Sequence, residues 1–241
     1  MKKLSVLLAA LLIVSLLPAT ALAQDTPPES SATGDRFIAN LKDRAGLAVE
    51  NRLDTIERVT EGLQDAEHLT DEHRRLLLEE LKSSADGLAA LGRQIENAET
   101  LAELRELIPL IFEDYRIYAV VVPKAHLVVV ADTIVAVVDR VDLVAGSLQD
   151  AISRVSAAGY DTSEAEEVLA EMVESLSEAG SLAGRVPDSV LPLVPADWPD
   201  PARSILDGAH SDLRAARDDA ASAVRSAHEI ARILRDLLRE G

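Results

Sequence analysis

From Leu206 to Leu237 an apolar or small residue recurs at intervals of three and four: Leu206, Ala209, Leu213, Ala216, Ala220, Ala223, Ala227, Ile230, Leu234 and Leu237. A half-buried strand needs a period of two. This spacing instead holds one stripe on a helix and sustains it for more than four heptads. Half of the stripe is Ala, so whatever packs against it comes close. One long helix of this kind demands long helical partners, and the rest of the chain has to supply them.

It does so repeatedly. Ile38, Leu41, Ala45, Val49, Leu53, Ile56, Val59, Leu63 and Ala66 predict a first helix from about Asp35 to Ala66. Thr70 is a natural N-cap, with Asp71 and Glu72 at the positive end of the dipole. Leu77, Leu81, Ser84, Leu88, Leu91, Ile95 and Ala98 then give a second heptad seam. Thr100 and Glu103 read as a capping box for a third helix. Its stripe Leu101, Leu104, Ile108, Ile111, Tyr115, Tyr118 and Val122 runs into Pro123, where a kink is expected, and resumes from Ile134 to Val155. Gly159 is a helix stop. Ser163 with Glu166 suggests a further capping box, for a helix from Glu164 to near Gly184.

Prolines at 187, 192, 195, 199 and 201 forbid a continuous helix across residues 185–200. Asp200-Pro201 reads as an N-cap followed by Pro at N1 of the last helix. LQDA occurs at Leu63–Ala66 and at Leu148–Ala151, as two related hairpins or chance would produce. The expected fold is therefore all-α: an elongated bundle of about five long helices with coiled-coil-like heptad packing, the third being longest and kinked near Pro123. Aromatics make up only 2% of residues, so Leu, Ala and Val must do the packing, which suits long helices better than a rounded globule.

The N-terminus predicts export. Met1-Lys2-Lys3 is a basic n-region, Leu4–Leu17 an apolar stretch too short to span a bilayer, and Ala21 and Ala23 suit cleavage before Gln24. An uncleaved anchor is the alternative. Residues 1–23 are thus expected to be a signal peptide, 24–34 a flexible polar leader, and 35–241 the helical bundle, located in the cell envelope or outside the cell.

Residues 117–138 are apolar apart from Tyr118, Pro123-Lys124, His126 and Asp132-Thr133. As a membrane span, Lys124 and Asp132 would each cost about 2.5–3.5 kcal/mol, and each Val, Leu or Ile would return only about 0.3–0.6 kcal/mol. The sums cancel. A strand is disfavoured because no turn signal bounds the run and a lone hairpin is marginal. A buried helix covered on several sides is the expected state, although such a segment is also the one that a lipid surface would take.

Chemistry is hard to find. There is no Cys, which excludes disulfides and thiolate metal sites. A net charge of −18 argues against nucleic acid. His68, His73, His126, His210 and His228 show no metal-ligand spacing, and His126 is expected to be a satisfied interior residue. No glycine-rich phosphate loop, no nucleophile elbow and no EF-hand loop occurs. Adjacent acids such as Asp218-Asp219 diverge on a helix and read as solvated faces. No catalytic, metal or cofactor-binding residue is therefore assigned, and no small-molecule substrate is evident. Trp198, the sole tryptophan, either pins the Pro-rich segment to the helices or contacts a partner or lipid.

The layout resembles apolipoprotein-like proteins, α-helical pore formers and bacterial envelope proteins in architecture alone, which does not confer function. The expectation is a non-enzymatic helical scaffold or interaction protein, binding another protein or itself through its helices. A membrane-associating protein using residues 117–138 is the alternative.

Overall fold

The computed structural model describes residues 31–240. The expected signal peptide, 1–23, and residues 24–30 of the expected leader lie outside them. Two compact units divide the chain, Met1–Arg36 and Phe37–Gly241, and the second holds nearly all of the described residues. It is an elongated all-α bundle, with no strand among the described residues.

The long helices are α1 (Ser31–Gln64), α2 (Asp71–Asn97), α4 (Val122–Ala157), α5 (Ser163–Gly184) and α7 (Ala202–Glu240), with the shorter α3 (Leu101–Glu113) and α6 (Val186–Val190) between them. α1 begins four residues before the expected Asp35, so Ser31–Gly34 is helical rather than leader. α1 and α2 form an antiparallel hairpin: Lys42 Nζ donates to the Glu96 carbonyl at 2.8 Å, and Gly92 faces Val49. Arg74 closes the hairpin by donating to the carbonyls of Leu63 and Gln64 at the end of α1 and of Ala66 and Leu69 in the connection to α2. The Thr70 N-cap and the Thr100–Glu103 capping box form as their sequences predict.

The expected long third helix is two helices. The break lies at Asp114–Arg116, not at Pro123. Arg116 takes a left-handed φ of 40°, and its carbonyl accepts from Ala119, Val120 and Val121 in a π-helical turn, Ile117–Val121. Pro123 sits in the first turn of α4, where its missing N–H costs nothing. The break also rotates the stripe. Ile117, Val120 and Val121 are buried, and Tyr118, expected on the core side, is exposed. The longest uninterrupted α-helix is consequently α7, 39 residues or about 58 Å.

α4, α5 and α7 run up, down and up against one another. One core joins α1, α2, α3, the first half of α4, the end of α5 and the start of α7; a second joins the remaining halves of α4, α5 and α7. Of the α7 stripe, Leu206, Ala209, Leu213, Ala216, Ala220, Ala223, Ile230 and Leu234 are buried. α4 stops at Gly159, whose φ of 95° suits glycine and lets Tyr160 N–H reach back to the Val155 carbonyl. α5 starts one residue early. Its N-cap is Thr162, whose hydroxyl donates to Glu166, so no capping box forms at Ser163. α7 begins at Ala202, after Pro201 rather than with it.

Candidate functional site

Both charges inside the apolar run are buried, and both are held by α2. Lys124 is 1% exposed; its Nζ donates to the Glu80 carboxylate at 2.7 Å, to the Leu193 carbonyl at 2.7 Å and to the Leu191 carbonyl at 3.5 Å. An ammonium in the first turn of a helix meets the positive end of its dipole, and the carboxylate and carbonyls offset that. Asp132 accepts from His73 Nδ1 at 2.9 Å and from the Thr70 backbone N–H at 2.8 Å, so it sits at the N-terminus of α2, where a carboxylate is favoured. His73 and Glu80 are two turns apart on α2, and Asp132 and Lys124 slightly more than two on α4, which fixes the two helices antiparallel. Leu77 on α2 and Ala125, Leu127, Val128 and Ala131 on α4 are buried within the intervals. Ile117, Val120, Val121, Leu127, Val128, Ala131 and Ile134 are buried, as expected for a covered helix.

The Lys124–Glu80 pair floors an open cleft of about 460 Å³ between α2, the α3–α4 junction and the Pro-rich segment. Leu76 and Val194 stand at its rim, with Ser83, Ser84 and Asp114 beside them. Tyr115 also lines it. Its hydroxyl would lie 2.6 Å from a Cβ placed on Gly87, so only glycine admits the ring there. Burial, with Asp114 close by, pushes the Tyr115 phenol above its usual range. A second groove, about 490 Å³, lies between α1 and α2 and is lined mainly by Leu53, Ile56, Leu78 and Ala85.

On the far side of the π-helical turn, Arg52 lies between two exposed rings, 4.5 Å from the Phe112 centroid and 5.2 Å from that of Tyr118. Burial lowers the Arg52 pKa from its usual value, and Tyr118 opposes the shift. Tyr118 Oη donates to the Asn51 carbonyl, tying the turn to α1. Arg116 Nε is buried without a hydrogen-bond partner among the described residues.

His126 is not an interior residue: its side chain is exposed beside α7. Partial desolvation first, then His210 and Arg217, hold its imidazole below the usual range. Trp198 is half-buried against the main core, with the Arg203 guanidinium 5.0 Å from its ring. Among the described residues no three His, Asp or Glu side chains group as metal ligands.

In the sequence, Lys124 and Asp132 read only as costs to membrane insertion. Their partners were not legible, because His73 and Glu80 lie on what reads as an ordinary polar face of α2. Comparison with protein-family models, with curated proteins and with solved structures found no match.

Proposed function

We propose that the protein is an exported, non-enzymatic helical scaffold that works by binding, in the cell envelope or outside the cell. The observation that carries this reading is the state of the apolar run. α2 pairs Lys124 with Glu80 and holds Asp132 by hydrogen bonds from His73 and the Thr70 N–H, while α5, α6 and α7 pack against the same helix; Lys124 and Asp132 are the two groups that would have to be stripped of water at a bilayer. What remains accessible is a set of long helical faces and open grooves, suited to another protein or a second copy of the chain. Heptad packing along α7 is part of the same proposal, supported by the burial of its alternating stripe. The test is recovery of partners from the native envelope and culture medium with the chain from Gln24 as bait. N-terminal sequencing of the protein from those fractions should begin at Gln24. Retention in the cytoplasm with Lys2 and Lys3 still present would overturn export.

Membrane association is the second reading. What favours it is an 18-residue window within Leu101–Ala157 with mean hydropathy 1.9, only half buried. Liposome flotation of the mature chain separates the two: a scaffold stays in the dense fraction, and a lipid-binding protein rises.

A further inference from the structure

We propose that the cleft above Lys124 and Glu80 is the docking site for an extended segment of a partner protein that presents a Lys or Arg beside apolar side chains. The inference rests on the interaction-protein reading and names its contact. The cleft is of the size that binding sites have, and it is open, so a chain can cross it. Leu76 and Val194, 36% and 49% exposed, offer apolar surface from two different walls.

Charge decides what lies between them. Lys124 spends its three N–H donors on Glu80 and on the Leu193 and Leu191 carbonyls, so it has no free donor for an anion. Asp114 is exposed and makes no ion pair among the described residues. Ser83 and Ser84 have no side-chain hydrogen bond among them either. Glu80, Asp114 and Lys124 together carry one net negative charge. Against that charge, which the exposed Asp114 supplies beyond the Lys124–Glu80 pair, a cation is attracted and a carboxylate repelled, while the apolar rim takes its neighbours.

Calorimetric titration of the full mature chain tests this with four probes. They are the capped peptide Leu-Val-Lys-Leu-Val, the same peptide with Glu for Lys, the peptide Ser-Ser-Lys-Ser-Ser, and hexylamine. The first should bind, and the other three at least about tenfold more weakly. Asp114→Asn should weaken the first peptide about tenfold, as loss of a charge-assisted hydrogen bond does, and Val194→Ser several-fold. Both positions are exposed, and thermal melting should find both variants folded like the wild type. Equal binding of the Glu peptide overturns the proposal. So does hexylamine binding as well as the peptide, an absence of heat from every probe at millimolar concentration, or variants that bind like the wild type. A native partner held equally by wild-type bait and by bait carrying both substitutions overturns the cleft and leaves the interaction reading standing. Recovery of no partner by either bait overturns the interaction reading itself.

Discussion

Lys124 shows how much a single side chain can hide in a sequence. Its burial depends on Glu80, 44 residues away, and on a loop carbonyl 69 residues away. No local pattern announces either. Removing Glu80 leaves the Lys124 ammonium buried and unpaired by charge, so Glu80→Met alone should cost about 3–5 kcal/mol in urea unfolding. Lys124→Met with Glu80→Met should recover most of that, because an apolar pair of similar volume is close to neutral. Equal losses in the single and double variants would mean that packing, not charge, is what Lys124 supplies. His126 carries a different expectation. Its folded-state pKa is lowered, so the unfolded chain takes up the proton first, and the protein loses stability as pH falls from about 6.5 through the folded value. His126→Asn should flatten that part of the melting-temperature profile between pH 7.5 and 5.5. A profile parallel to the wild type would show the imidazole to be fully solvated.

At the scale of elements, the helices were legible because their stripes and caps are local. Thr70, Thr100, Gly159 and the alternating residues of α7 each act within a few positions of themselves. The break at Arg116 was not legible, because Pro123 offered a better local signal than an Arg with a positive φ. Proline is harmless in a first turn, and what ends α3 is a backbone conformation stabilised by surroundings such as the Tyr118 anchorage on α1. The α7 stripe allows a direct check. Leu213→Asp and Leu234→Asp, each placing a charge at a buried position, should destabilise by several kcal/mol, and Arg214→Ala on the exposed face should change little. Ala216 is fully buried, and Ala216→Leu should cost about 1–3 kcal/mol by overpacking. The α2–α4 pairing explains the placement of the polar residues. A run of interchangeable valines carries little register information, and two oppositely directed polar pairs supply it.

For the molecule as a whole, the apolar run is where fold and function meet. Val128 is fully buried at its middle, and Val128→Asp should loosen or unfold the protein in plain buffer, read by circular dichroism and thermal melting. If the run instead serves a bilayer, the variant melts like the wild type and loses only a flotation that the wild type shows. The all-α class and the placement of α1, α2, α5 and α7 could be read from periodicity, whereas α4 reads as one helix with α3. The candidate cleft could not, since its walls come from three segments that meet only in the folded chain. The Pro-rich segment makes the same point in reverse. By composition residues 185–200 look like a linker. Yet Leu193 is buried with its carbonyl on Lys124, Asp197 accepts from the Val194 N–H, and Trp198 lies against Arg203. A protease searching for slack would pass it over: limited digestion of the native protein should spare residues 186–198, and inserting a few glycines there should be tolerated far less well than its loop-like sequence suggests.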